Sequence, residues 1–115
     1  MDEKILKYLY DIDFAISEID SYFINKPKDF NAYKQNTMLK RAIERDLEII
    51  GEAVNKIIKK DKNYLDKISE ATSIIGLRNL VIHAYDSISD ENIWAVIINH
   101  LPKLKSEIKI LISLK

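Results

Sequence analysis

The chain has 115 residues, 47% of them apolar and 9% aromatic, and its 18 basic and 18 acidic side chains leave no formal net charge. That length holds one hydrophobic core and one helical domain over residues 1–115, and the charge balance excludes a basic coat for indiscriminate nucleic-acid binding. The absence of cysteine removes disulfides and thiolate metal sites, no apolar run nears the roughly 20 residues of a membrane span, and Met1-Asp2-Glu3-Lys4 opens no signal-peptide core, so a soluble, cytoplasmic protein is expected.

Only two glycines and two prolines punctuate the sequence, which predicts long helices in an all-α, up-and-down antiparallel bundle of four to five helices. A first helix, from about Glu3 to Asn25, carries Ile5, Leu6, Leu9, Ile12, Ala15, Ile16, Ile19 and Phe23 on one face. Pro27 ends or interrupts it, and Asp29 or Asn31 caps the next and longest helix, from about Phe30 to Lys60. The apolar stripe of that second helix includes Met38, Leu39, Ile43, Leu47, Ile50, Val54 and Ile57. Gly51 lies inside it, where glycine costs about 1 kcal/mol of helix propensity relative to alanine. A close helix crossing explains its presence.

Lys59 to Asp66 forms a connection, with Tyr64 and Leu65 in a short helical turn, and a third helix runs from about Glu70 to Ala84. In Ser87-Ile88-Ser89-Asp90-Glu91, either Ser89 or Asp90 is the N-cap of the last segment. That segment carries Ile93, Trp94, Ile97, Leu101, Leu104, Ile108 and Ile112, and Pro102 kinks or splits it near Asn99 and His100. Two basic groups, Lys40, Arg41 and Arg45, then Lys56, Lys59, Lys60 and Lys62, can line a local cleft. The interspersed Glu44, Glu48 and Glu52 make a solvated helix face the simpler reading.

The residues that carry chemistry are in Arg78-Asn79-Leu80-Val81-Ile82-His83-Ala84-Tyr85, an otherwise apolar stretch of the third helix. An arginine offers a forked, permanently charged head for a phosphate, and histidine is the side chain best suited to move a proton near neutral pH. Asn79 and His83, four apart, share a helix face, so Asn79 can orient the imidazole, while the long stem of Arg78 can swing its guanidinium toward the same phosphate. If the helix ends near Ala84, Tyr85 folds back toward His83 at the mouth of a cleft. Singly, His83 is more often a surface or core histidine and Arg78 an ion-pair partner; the three together arise by chance in fewer than about one chain in a hundred. The set points to phosphodiester chemistry.

These residues resemble the R-x4-H-x-Y signature of HepT-like toxins, a branch of the HEPN superfamily of helical ribonucleases and nucleotide-binding domains. Leu47-Glu48-Ile49-Ile50-Gly51-Glu52-Ala53 is similar to the helix that precedes the signature in that family, and Asp90 to Trp94 followed by Leu101-Pro102 is similar to its C-terminal segment. Spacing and order match over about residues 38 to 112. The resemblance implies a HEPN-like bundle and a metal-independent endoribonuclease that needs no cofactor, acting as a homodimer with two signatures facing one cleft. Arg78 would hold the scissile phosphate, and His83 would act as general acid or base while the RNA 2′-hydroxyl attacks. Asn79 would keep the site in register. It also implies a type VII-like toxin–antitoxin system, in which an MntA-like nucleotidyltransferase antitoxin transfers AMP onto Tyr85. Ala84 departs from the acidic residue often found between the histidine and the tyrosine, and Glu48 and Glu52 either touch the signature helix or face solvent. The rival reading is a noncatalytic helical subunit that binds nucleotide or docks onto a nucleotidyltransferase.

Overall fold

Apolar residues recurring every three to four positions are stable only when helices bury those stripes against one another. The computed structural model describes residues 1–83 and 89–115, with the backbone alone in residues 80–83, and contains no strand among them. Among the described residues seven α-helices and one π-helical turn follow in order: α1 (Glu3–Ser21), α2 (Phe30–Gln35), α3 (Thr37–Lys60), α4 (Tyr64–Lys67), α5 (Ala71–His83), α6 (Asp90–Ala95), the π turn (Val96–His100) and α7 (Leu101–Ser113). Because α6, the π turn and α7 run on without a break, four long bodies form the bundle, as expected, and α2 and α4 brace it.

Neighbours run antiparallel. Tyr8, near the start of α1, sits 5.6 Å from the ammonium of Lys56 late in α3, whereas Tyr22, just past the end of α1, reaches back to Asp46. Lys105 and Lys109 of α7 pair with Asp20 and Asp13 of α1, at 2.8 and 3.3 Å. Between these helices lies one core, built from Leu9, Ile12, Ile16 and Ile19 of α1, Ile43, Ile50, Val54 and Ile57 of α3, and Ile93, Ile97, Leu104 and Ile108 of the last body. No helix of the described residues is long and apolar enough to cross a membrane.

The ends of the elements follow their capping chemistry. Asp29 Oδ1 accepts from the Asn31 N–H at 2.9 Å, and Ser89 Oγ accepts from the Asn92 N–H at 3.1 Å, so Asp29 and Ser89 are the caps of α2 and α6. The first helix stops at Ser21 rather than Asn25. Bonds of the i to i+3 kind tighten the chain at Tyr22, Phe23 and Ile24, and Asn25 then takes a positive φ of 60° that reverses it before Pro27. The expected single helix from Phe30 to Lys60 is two helices. Asn36, in extended backbone, ends α2 and caps α3 by accepting from the Leu39 N–H at 3.0 Å, a local side-chain bond that competes with helix continuation. The break turns Tyr33 inward, its ring 5.2 Å from that of Trp94. The α-helical bonding of the last body is interrupted near Asn99 and His100, as expected: Val96–His100 form a π turn, and Pro102 stands in the first turn of α7, where its missing N–H is tolerated.

Gly51 marks the tightest approach in the bundle. A Cβ built there would overlap the Cβ of Arg78, lie 2.8 Å from its Cγ and 3.2 Å from the Ile74 carbonyl oxygen. The obstruction is the root of a side chain and a backbone atom, neither of which can swing aside. Gly51→Ala is therefore expected to lower unfolding stability by about 1–3 kcal/mol despite its better helix propensity, because α3 and α5 must separate. Denaturant unfolding tests this, and an unchanged midpoint would mean that the crossing opens freely.

Candidate functional site

Helix α5 delivers Arg78, Asn79 and the backbone of His83. Its crossing with α3 at Gly51 presses the stem of Arg78 against a residue with no side chain, which leaves the half-buried guanidinium beside the helix. Arg78 Nη1 donates to Asn79 Oδ1 at 3.0 Å. Arg78 Nε is buried and has no hydrogen-bond partner among the described residues. The other two arginines are each paired with a carboxylate one turn away, Arg41 with Glu44 at 2.7 Å and Arg45 with Glu48 at 3.4 Å. Arg78 has no such partner among the described residues. A buried donor left unmade costs about 1–3 kcal/mol, and the fork of a guanidinium is of the kind that binds an oxyanion.

Of the residues singled out in the sequence, Arg78 and Asn79 are brought together, with Asn79 touching the guanidinium. The side chain of His83, together with Ala84, Tyr85 and Ser87, lies outside the described residues. Glu48 and Glu52 bond along their own helix, to Arg45 and to Lys56 at 3.2 Å, so both belong to the solvated face of α3. Of the basic residues, Lys40 is paired with Asp90 at 3.3 Å, and Arg41, Arg45 and Lys56 each hold an acid.

The chain is anchored on both sides of the motif. Ahead of α5, Glu70 holds His100 Nδ1 at 2.7 Å. Eight residues of helix separate Glu70 from Arg78, about 12 Å at the helical rise, so the imidazole of His100 does not share a phosphate with Arg78. Beyond the motif, Asp90 is tied to Lys40 and Trp94 is packed among Phe23, Phe30 and Tyr33 with ring centroids 5.2–5.9 Å apart. Among the described residues, no three His, Asp or Glu side chains converge as metal ligands.

One titratable residue escaped the reading of the sequence. Asp46 is only 2% exposed and accepts a hydrogen bond from Tyr22 Oη at 3.0 Å. Its position, three after Ile43 and four before Ile50, places it on the apolar face of α3, and that spacing is the signal that would have found it. Burial and then the neighbouring Glu18 carboxyl push Asp46 up to about 7, against the Tyr22 bond and Arg45. Burial and Asp46 together push Tyr22 up to about 12.

An unfolded Asp46 loses its proton near 3.8 and the folded one near 7, so between those values the native state holds a proton that the unfolded chain has released. The stabilisation that this proton carries is complete at low pH and lost as pH rises through the folded value. Asp46→Asn retains an oxygen for Tyr22 and cannot ionise. Thermal melts at about pH 5 and about pH 8 should show the parent losing stability across that interval and the variant losing less, with the variant the more stable at the higher pH. Identical pH dependence would remove Asp46 as its source.

The sequence matches the family described as ribonuclease HepT-like over residues 12–111. It is 32% identical over 105 residues to a protein of Methanocaldococcus jannaschii that is provisionally named an RNase, covering 90% of this chain and 92% of that one. A protein of Caldanaerobacter subterraneus subsp. tengcongensis with the same provisional naming is 31% identical over 101 residues, 88% of this chain and 84% of that one. A second M. jannaschii protein so named is 31% identical over 109 residues, 95% of this chain and 91% of that one. No solved structure gives a significant match.

Proposed function

Because the chain belongs to the HepT-like ribonuclease family, we propose that it is an endoribonuclease that cleaves RNA by attack of the 2′-hydroxyl on the adjacent phosphate. The observation that carries this reading is Arg78, a half-buried guanidinium with an unpartnered Nε and no carboxylate among the described residues. In the reaction the 2′-oxygen forms a new bond to phosphorus, and the 5′-oxygen leaves with the electron pair of the bond that breaks. A 2′,3′-cyclic phosphate and a free 5′-hydroxyl remain. Arg78 stabilises the extra negative charge on the phosphoryl oxygens as the transition state forms. His83 takes the 2′-hydroxyl proton or supplies one to the leaving oxygen. Asn79, bonded to Arg78 Nη1, fixes the guanidinium. The 2′-hydroxyl is the substrate's own nucleophile, so no metal-activated water is required.

Two further parts of the reading concern partners. Helix α5 carries apolar residues on more than one side, with Ile74 buried, Ile75 and Leu77 half-buried, and Leu80, Val81 and Ile82 following in sequence. A helix apolar all round is covered by more than one neighbour, which supports a homodimer that brings two signatures to one cleft. Tyr85, two residues past His83, is the position on which a nucleotidyltransferase antitoxin would act. Its phenolic oxygen would attack the α-phosphorus of ATP and displace pyrophosphate, and the resulting AMP group would place bulk and negative charge beside Arg78. The setting is a cytoplasmic toxin–antitoxin pair.

The test is RNA cleavage without divalent metal by protein shown by mass to lack AMP on Tyr85, with the RNA ends identified by mass. His83→Ala is expected to lower the rate by about 10²–10⁴-fold, as loss of an acid–base group does. Arg78→Ala should abolish cleavage, and Arg78→Lys should restore little of it, since an ammonium lacks the fork. Both arginine variants should keep the parent's helical content. Absence of cleavage by the unmodified protein would turn the assignment to a noncatalytic docking subunit.

A further inference from the structure

Both glycines of the chain stand inside helices, Gly51 in α3 and Gly76 in α5, where each weakens its helix relative to alanine. Neither has a positive φ, so neither is there for a backbone conformation that other residues avoid. They differ in the space around them. A Cβ added to Gly76 would meet nothing within 4 Å, whereas one added to Gly51 would overlap the Cβ of Arg78 and lie 2.8 Å from its Cγ. Of the two, only Gly51 stands where the fold requires a missing side chain.

What Gly51 meets is the first two carbons of the arginine. Cβ and Cγ fix the first torsion of the side chain, which sets the direction in which the rest of the stem and the guanidinium leave α5. Farther out, Nε is buried yet has no hydrogen-bond partner among the described residues. A donor in that state is held by packing, because a stem free to turn would carry it to water. The bond to Asn79 holds the outer end of the fork, at Nη1, on the exposed side. The inner end is held by the fit of the stem at Gly51.

We propose that Gly51 is a positioning residue for Arg78: its bare α-carbon lets α5 come close enough to α3 to clamp the arginine stem, and the rate of RNA cleavage depends on that clamp. The effect on rate rests on the ribonuclease reading, whereas the clamp itself is read without RNA. Displacing a group that must meet a transition state by about 1 Å costs about 10²-fold in rate. A methyl group at Gly51 forces a shift of that order, since ordinary contact with the stem begins only at 3.4 Å.

The chain has three arginines, so the Nε–H groups of the ¹⁵N-labelled protein give three signals. In the parent, Arg78 Nε should relax like rigid backbone and exchange its proton slowly, while Arg41 and Arg45, with side chains 68% and 66% exposed, relax as mobile groups. In Gly51→Ala, Arg78 should join them, and the single-turnover rate on an RNA that the parent cuts should fall about 10²-fold at a temperature where helical content is unchanged. Two controls separate position from stability. Gly76→Ala should leave both readouts as they are, and so should Ile108→Val, which loosens the buried core in α7. An Arg78 signal in the parent as mobile as the other two would overturn the proposal, even if Gly51→Ala does not fold. So would a Gly51→Ala protein with the parent's Arg78 signal or rate, or an equal loss of rate in Ile108→Val. A parent that cuts no RNA but has a rigid Arg78, released in Gly51→Ala, would fail the ribonuclease reading and leave the clamp standing.

Discussion

The close crossing of α3 and α5 at Gly51 is the constraint on which the rest of the site depends. Two helices can approach this tightly only where one presents no side chain, and the other presents the root of Arg78 at that point. The glycine weakens α3 as a helix by about 1 kcal/mol, and in exchange the guanidinium is held against the bundle by its own stem. A flexible side chain becomes a fixed donor because its first two carbons have nowhere to go. Preorganised charge of this kind stabilises a transition state better than a mobile arginine that must first be ordered.

That fixation has an electrostatic counterpart. Along the exposed face of α3 the cations are answered by acids one turn away, and such pairs contribute little to stability. Arg78 stands apart, half-buried, with a neutral asparagine as its described contact and an unmade Nε donor. Asp46 is the mirror case, a buried acid held near neutrality by desolvation and by Glu18 and tied to Tyr22. Asp46 lies on α3, the longest helix, and Arg78 packs against it.

The segments flanking the motif are held by unlike means. Glu70 and His100 join the start of α5 to the π turn through a short side-chain hydrogen bond. Trp94, seated among Phe23, Phe30 and Tyr33, fixes α6 by packing, and Lys40 with Asp90 adds a partly buried ion pair. Phe30 and Tyr33 of that aromatic cluster come from α2, which Asn36 separates from α3.

The four long helical bodies, the caps at Asp29 and Ser89, the close crossing implied by Gly51 and the candidacy of Arg78 were legible in the sequence, because apolar period, cap chemistry and residue type act over a few neighbouring positions. The break at Asn36, the early end of α1, the π form of the interruption ahead of Pro102, the burial of Asp46 and the Arg78 Nε left without a partner among the described residues were not. The first two are settled by local bonds that compete with an equally plausible helix, at Asn36 and around Asn25; the others depend on what packs opposite, and those partners lie far along the chain: Arg78 meets Gly51 and His100 meets Glu70. The sequence by itself determined which faces are apolar and which residues are candidates for phosphate chemistry. Only the tertiary structure decided which charges find a counterion and which are left open, because that choice is made by helices that meet across the core.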